Sequence, residues 1–468
     1  ALQKQSLIDS FRLPEGKFHS LHRIVQDVVR DCGLNRSGKK EWCQAAVQLL
    51  LEHFPFDPRN AVISPLSKTL LPHALSVISH AKRLSLNTDE VINLTDKTYL
   101  CNGILQSDEG KPEDSLKSIR KVRGFRQPHS TTMRARCLDV MGDCYHIRDK
   151  YEKAKSHLDE ARKIWRTQKE YEAFQRASER LAQVHELSGD LFKAKTLIQD
   201  TIKVVSVEAP GTHIFSSIYY REGVLARLFF ELNNSLDSYR KSLHAAKREK
   251  NEVWQAYAKR GLGEIALLQG RLKHAEKHLE EAIKLFEKTK HRGKVWIMRF
   301  QAEIQRQKAF KPKISHEEKN RLLGMAEKKY RDYIEKCKDM KNPNGEAWGW
   351  LRLAFLLLER EVVKETCRSR EKSSAWTCII KSEKLFKKTG SGIGSIEVII
   401  SKGLAMAAGL CPEPGEKIKL LLEDARNRAQ WKHLSKQLTI LGHLISHSPG
   451  SPLSGPLWKE IRSPRNPT

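Results

Sequence analysis

A cluster of arginine and lysine side chains contains the residue types in this sequence that are best suited to binding chemistry. Seven positive charges and no acidic residue lie between positions 116 and 136. A guanidinium group donates paired hydrogen bonds to a phosphate or a carboxylate, so this spacing predicts a polyanion-binding site. The residues of this predicted site are Lys117, Arg120, Lys121, Arg123, Arg126, Arg134 and Arg136. Because the aromatic residues occupy core-like positions instead of lying among these charges, a solvated surface is the favoured alternative.

No arrangement of residues in the sequence predicts catalysis. His274 and His278 are four positions apart, a spacing at which two imidazoles can share a metal ion, but no third ligand is evident. The glycine-rich run at 390–394 lacks the spacing of a phosphate loop, and no GxxxxGK[ST] motif occurs, so that run is predicted to be a loop between repeats. We therefore expect no enzyme activity, no catalytic residue and no metal site.

The elements that would position these residues are helices arranged in pairs. Between Trp254 and Glu287, apolar residues recur at helical spacing on both sides of a turn at 269–271. Small residues, Gly263, Ala275 and Ala282, occupy the positions where the two helices would cross. A missing or single-methyl side chain lets two backbones approach closely, which predicts an antiparallel helix pair.

The same register of small residues, at steps of twelve and then seven, recurs along the chain. Its first positions are 39 to 41 residues apart, at 103, 142, 182, 223 and 263. An internal repeat of this length is typical of a helical solenoid. The order of large and small residues resembles tetratricopeptide repeats, whose usual period is shorter. The predicted fold is an all-α, right-handed superhelical solenoid of tetratricopeptide-like helix pairs.

A second resemblance lies near the start of the chain. Leu21-His22-Arg23 resembles the Met-His-Asp or Met-His-Arg motif at the end of the winged-helix domain in STAND NTPases of the NB-ARC–tetratricopeptide type, a class that includes NLR-like immune proteins. The segments HFPFDP at 53–58 and LLPHAL at 70–75 resemble the linker that follows this domain. The resemblance implies that His22 is the nucleotide-sensing histidine. No cofactor is expected in this chain itself, and ATP or ADP is expected only if an NTPase module lies upstream.

The composition limits the cellular locations and the kinds of partner that are expected for this protein. The formal net charge of +28 predicts a salt-sensitive attraction to polyanions. Nine cysteines with irregular spacing and no CxxC motif argue for reduced thiols and a cytoplasmic location. No secretory signal opens the chain and no apolar run is long enough to span a membrane, so no membrane association is expected.

Changes in composition divide the chain into five predicted regions. The first region contains a small hairpin or wing around Pro14-Glu15-Gly16, followed by an amphipathic helix that starts at His19. The five regions are a winged-helix C-terminal remnant at 1–31, linker helices at 32–90, regular repeats at 91–290, longer divergent repeats with a capping helix at 291–446, and a disordered tail at 447–468.

These features predict recognition instead of catalysis. The concave face of the solenoid, built from the first helix of each pair, is expected to bind a protein or peptide. By resemblance, the chain would be the sensor or regulatory repeat region of a STAND-type signalling or innate-immunity NTPase. Two alternatives stay open, namely a stand-alone tetratricopeptide adaptor scaffold and a repeat protein that binds RNA or another nucleic acid through its basic patches.

Overall fold

A computed structural model of the chain describes residues 8–13, 16–21, 36–54, 64–123, 131–364 and 374–407. Contacts divide the chain into two units, Ala1–Gln168 and Lys169–Thr468, which are described separately below. His22, Arg126, the predicted capping helix and the predicted tail at 447–468 lie outside the described residues.

The first unit begins with two antiparallel strands, β1 (Ile8–Leu13) and β2 (Gly16–Leu21). Leu13 pairs with Gly16 at the turn, which confirms the predicted hairpin. The predicted start of a helix at His19 is wrong, because His19 pairs with Ser10 and the backbone stays extended as far as Leu21. The rest of that predicted helix lies outside the described residues, and the winged-helix assignment stays a prediction.

Six helices follow among the described residues of the first unit, and α3 with α4 and α5 with α6 pack as consecutive pairs. Thr88 caps α3, because its hydroxyl oxygen accepts a hydrogen bond from the Val91 N–H at 3.4 Å. The helices are α1 (Arg36–His53), α2 (Ser64–Arg83), α3 (Asp89–Asp108), α4 (Pro112–Ile119), α5 (Thr131–Ile147) and α6 (Tyr151–Thr167).

The second unit consists of further helix pairs. None of the helices described in either unit combines the length and apolarity that a membrane crossing requires. The helices are α7 (Tyr171–Ser188), α8 (Leu191–Glu208), α9 (Ser216–Leu228), α10 (Leu232–Arg248), α11 (Glu252–Leu268), α12 (Leu272–Lys288), α13 (Lys294–Ala309), α14 (His316–Asp339), α15 (Pro343–Lys364), α16 (Ser374–Thr389) and α17 (Gly392–Ala407). The fold is the predicted tetratricopeptide-like solenoid of helix pairs, with a strand pair at its start.

The predicted close crossings are present in both units. A Cβ atom added to Gly142 would lie 2.5 Å from Cγ of Leu158, and one added to Gly263 would lie 2.9 Å from Cγ of Leu279. Real carbon atoms do not approach that closely, so only glycine lets the partner leucine occupy its position against the helix backbone.

Serine replaces alanine at some of these crossings and adds a hydrogen bond between the two helices. The Ser115 hydroxyl donates to the Gly103 carbonyl at 2.6 Å, and the Ser235 hydroxyl donates to the Gly223 carbonyl at 2.7 Å. Both serines are fully buried. A serine side chain is therefore small enough for the helix crossing, and its hydroxyl donates a hydrogen bond to a backbone carbonyl of the neighbouring helix.

In the second unit, α7, α9, α11, α13, α15 and α17 are called the first helices, and α8, α10, α12, α14 and α16 the second helices. Neighbouring first helices contact one another more extensively than neighbouring second helices do. The first helices therefore lie on the inner, concave side of this unit. α17 also contacts α7, so the row of first helices closes on itself.

Candidate functional site

Two members of the predicted polyanion site are held by acidic neighbours. Lys117 forms an ion pair with Asp114 at 3.2 Å on the surface of α4. Arg134 on α5 donates two hydrogen bonds to one carboxylate oxygen of Glu160 on α6, at 2.9 and 2.6 Å. Both pairs are partly exposed, where such contacts stabilise a protein only weakly. Their guanidinium and ammonium groups already have a counter-ion within the protein.

The other described members of this predicted site lie on the surface. Arg120, Lys121 and Arg123 are exposed at and after the end of α4, and Arg136 is half-buried in α5. The Lys121 ammonium lies 5.0 Å from the ring centroid of Tyr99. The polyanion site therefore stays a prediction for this surface.

The remaining sequence candidates belong to helices. Gly392 begins α17, so the glycine-rich run predicted to be a loop is partly the first turn of that helix. His274 and His278 lie on α12, and burial lowers the pKa of His278, with Lys259 acting in the same direction. Within the described ranges, no three histidine, cysteine or acidic side chains come together as metal ligands.

A second set of charged residues lies on the first helices and was not predicted. Arg221, Arg260 and Arg299 are each 39 positions apart, on α9, α11 and α13, and Arg352 lies on α15. The step of 39 lies within the 39 to 41 residues of the repeat step, so it is the signal that could have revealed them. Each arginine by itself resembles a solvent-exposed residue of an amphipathic helix, so only the regular spacing of the arginines sets them apart.

Arg221 is tied to two carboxylates of α7. Its guanidinium bonds to Glu179 at 2.7 Å and also to Glu186, and the Arg221 side chain is 8% exposed. Burial by itself lowers the pKa of Arg221, but the two carboxylates outweigh it and the pKa is raised. This arginine therefore joins α9 to α7 as a fully compensated buried charge.

Two more ion pairs follow on the first helices. Arg227 on α9 lies 3.4 Å from Glu264 on α11. The Arg306 guanidinium donates two hydrogen bonds to the Glu303 carboxylate within α13, at 2.8 and 2.6 Å. Burial raises the pKa of Glu303, but Arg306, Gln307 and Arg352 together outweigh that effect and the pKa is lowered, so the carboxylate stays ionised. The carboxylates of Glu264 and Glu303 are therefore each in an ion pair with an arginine.

Arg260, Arg299 and Arg352, which we call the unpaired arginines, have no carboxylate within ion-pair distance in the described part of the chain. The Nε atoms of Arg260 and Arg299 are buried and form no hydrogen bond. Arg260 donates only to the Tyr220 hydroxyl. Burial lowers the pKa of Arg299; Tyr333 and Glu264 act to raise it, and the positive charges of Arg260 and Arg352 lower it further. The inner side thus carries positive charge that the protein does not neutralise directly.

Aromatic rings support the unpaired arginines. The Arg260 guanidinium lies 5.1 Å from the ring centroid of Tyr257, and Arg352 lies 5.7 Å from that of Trp348. Tyr257 also packs against Trp254 at 5.3 Å between centroids. A ring face attracts a cation without neutralising it, so the guanidinium planes are held in place while their N–H groups remain able to donate.

Comparisons with known proteins bear on the fold. No family model matches the chain, and no curated protein matches its sequence. A Rap protein complexed with competence and sporulation factor is similar in structure, at 11% identity and a TM-score of 0.45, over 87% of this chain and 97% of that one. A STAND protein with a tetratricopeptide repeat sensor from Pyrococcus horikoshii is similar at 15% identity and a TM-score of 0.45, over 83% and 58%. Yeast Tom70 is similar at 12% identity and a TM-score of 0.36, over 93% and 97%.

Proposed function

We propose that the first helices of the second unit recognise a protein or peptide partner. The observation that carries this proposal is the charged inner side, where arginines held against aromatic rings lack carboxylate partners. A solenoid core is built from small and apolar residues at its helix crossings, and a guanidinium group without a carboxylate within ion-pair distance contributes little to its stability. A recognition surface accounts for them, since buried arginine and aromatic side chains are the residues that most often dominate binding.

A photo-crosslinking experiment tests this function. Trp254, half-buried on α11, is replaced by p-benzoylphenylalanine in the full chain expressed in cells. The matched control places the same residue at Phe192, which is 47% exposed on the second helix α8. A specific cross-linked partner is expected from position 254 and not from position 192. Equal cross-linking at both positions, or cross-linking from Phe192 alone, would contradict recognition by the first helices.

We further propose that this recognition region is the sensor part of a STAND-type signalling NTPase. The support is the resemblance of Leu21-His22-Arg23 and of segments 53–58 and 70–75 to that family. Segment 70–75 lies inside α2, at the start of the helical region. In such an arrangement, partner binding on the repeats would regulate the ATP- or ADP-bound state of the NTPase module.

The STAND proposal is tested on the full gene product. Its reading frame is expected to encode a phosphate loop upstream of Ala1, and the purified product is expected to bind ATP. A His22→Ala variant should weaken ADP binding if His22 senses the nucleotide. A full-length product without a phosphate loop would support the stand-alone adaptor instead.

A further inference from the structure

We infer that α1 forms a parallel, in-register helix pair with α1 of a second copy of this chain. The contact uses the exposed apolar residues Trp42, Ala45 and Leu49, which we call the outer stripe. The inference concerns the first unit, so it is independent of the recognition surface proposed for the second unit.

The outer stripe is a second apolar face on a helix whose other apolar face is already buried. Cys43, Val47 and Leu50 pack into a core with α2 and α3. Trp42 and Leu49, which are about two helical turns apart, are 69% and 59% exposed. One apolar face is enough to hold a helix in a solenoid, and burial of further apolar area is favourable by about 25 cal/mol per Å². The second face is therefore available to an apolar surface of another molecule.

The spacing of the outer stripe matches the seam of a two-stranded coiled coil. Steps of three and four residues separate Trp42, Ala45 and Leu49, and side chains at this spacing stay in contact along two parallel helices. In register, Trp42 meets Trp42 of the second copy and Leu49 meets Leu49. The small Ala45 between them lets the two backbones approach. Because the two surfaces are identical, a two-fold axis relates them and no other surface is required.

Charged residues beside the outer stripe favour the parallel orientation. At about 100° of rotation per residue, Lys39 and His53 lie on one side of the stripe. Glu41 and Glu52 lie on the other side. A parallel two-fold pair puts the basic side of each copy next to the acidic side of the other, whereas an antiparallel pair puts like charges together. Lys39 and Glu41 are two positions apart and do not face each other within one helix, so they pair only between copies.

The expected association is weak and depends on protein concentration. The 18 residues of α1 form a helix about 27 Å long. One helix pair of this length buries less area than the roughly 1,200 to 2,000 Å² of a stable specific interface. We therefore expect a dissociation constant on the order of 10 μM.

Sedimentation equilibrium of the full chain between about 1 and 200 μM measures this dimer. The average mass is expected to rise from monomer towards dimer over this range. Trp42→Ala and Leu49→Ala should each raise the dissociation constant about tenfold, because an apolar contact is lost from both copies at once. Phe192→Ala is the matched control, since Phe192 is 47% exposed on α8, and its effect should stay below about twofold.

Charge reversal tests the parallel orientation. Lys39→Glu should raise the dissociation constant about fivefold, because it brings carboxylates together at two symmetric positions of the dimer. The double variant Lys39→Glu with Glu41→Lys should return the constant to within about twofold of its original value. Lys40→Glu is the control, because it changes the net charge by the same amount on the side of α1 that faces away from the outer stripe. Its effect should also stay below about twofold.

Three outcomes would overturn the inference. A chain that stays monomeric over the whole concentration range would mean that another segment or another protein covers the outer stripe. Unchanged dimerisation in Trp42→Ala, or an equal loss in Phe192→Ala, would mean that the copies associate elsewhere. Failure of the double charge reversal to restore dimerisation would exclude the parallel orientation.

Melting temperatures separate association from folding. At about 1 μM, where the chain is expected to be monomeric, Trp42→Ala should melt at the temperature of the unsubstituted chain, because the indole is exposed. A marked fall in melting temperature would show that Trp42 packs within its own chain and is not available to a second copy. Cross-linking of a partner from position 254 concerns the second unit and does not depend on these results.

Discussion

At the scale of single residues, the first helices carry two kinds of arginine that look alike in the sequence. Arg221 has two glutamate partners on the preceding first helix, whereas Arg299 has no carboxylate within ion-pair distance among the described residues and is affected by Glu264 only at longer range. The difference depends on which residues lie opposite in the next repeat. The residue type alone does not show which arginines are paired. To see this, the residues at the facing positions of neighbouring repeats have to be compared.

We expect Arg221→Met to destabilise the chain by about 3 to 5 kcal/mol, because Glu179 and Glu186 would be left as buried carboxylates without a cation. Chemical denaturation monitored by circular dichroism measures the change. Arg331→Met is the control, because Arg331 is 54% exposed beside Glu327, and it should cost less than about 1 kcal/mol. Similar losses in both variants would show that the buried pairs of Arg221 are not special.

At the scale of elements, the helix pairs depend on glycine where two backbones come closest. We expect Gly263→Ala to destabilise the second unit by about 1 to 3 kcal/mol, because its new methyl group would overlap Leu279. Gly324→Ala on α14 is the control, since nothing lies within 4 Å of its added carbon. It should stabilise that helix by up to about 1 kcal/mol, as alanine favours helix more than glycine does.

Thermal and chemical denaturation of the two variants measure these opposite shifts. If both alanines stabilised the chain, helix propensity alone would explain the effect and the close crossing at Gly263 would be wrong. If both destabilised it, the open space at Gly324 would be contradicted.

The helix pairs could be predicted from the sequence because the crossing restricts residue size at every repeat. Helix boundaries were less predictable. Proline is most common in the first turn of a helix, but α2 begins at Ser64 and contains Pro72 in its interior. Asparagine, proline and glycine between 342 and 345 are typical of a turn, yet the Asn342 side chain accepts a hydrogen bond from the Gly345 N–H at 2.9 Å and caps α15. Turn-forming residues also serve as helix starts, and the sequence does not distinguish the two uses.

The candidate site was less predictable than the fold. A local excess of positive charge drew attention to Arg120 and its neighbours, which lie on the surface. The unpaired arginines are spread over almost one hundred residues and are brought together only by the repeat geometry. Which carboxylates come within ion-pair distance of these arginines depends on the packing between helices α11, α13 and α15.

At the scale of the molecule, folding also restricts protonation. Burial lowers the pKa of His291, with Arg292 acting in the same direction, and the His291 Nδ1 atom accepts the Gly293 N–H at 3.0 Å. A group with a lowered folded-state pKa contributes stability that is present above its unfolded pKa of about 6.5 and is lost as the pH falls through its folded pKa. The second unit should therefore become less stable in mild acid.

Melting temperatures between pH 7.5 and 5 measure this loss of stability. His291→Asn keeps an oxygen acceptor but does not titrate, so its melting temperature should fall less on acidification than that of the unsubstituted chain. His316→Asn, at an exposed position, should leave the pH dependence unchanged. Identical pH profiles for all three proteins would rule out His291 as a contributor.

The contact between α17 and α7 depends on Gly392. A Cβ atom there would lie 2.8 Å from the Ser188 carbonyl carbon, which belongs to backbone and cannot rotate away. We expect Gly392→Val to separate these helices and to increase the radius of gyration in solution scattering. The same substitution at Gly324, where space is open, should leave the radius unchanged. An unchanged radius in Gly392→Val would contradict the closure.

This closure has a consequence for how a ligand reaches the inner side. While α17 and α7 are in contact, a ligand cannot pass between these two helices, so a peptide with a free end reaches the inner side more easily than a bulky loop held at both ends. A linear peptide partner should therefore associate faster than a cyclised form of the same peptide, and Gly392→Val should reduce the difference. The repeats would then select partners by whether they present a free terminus, in addition to their charge.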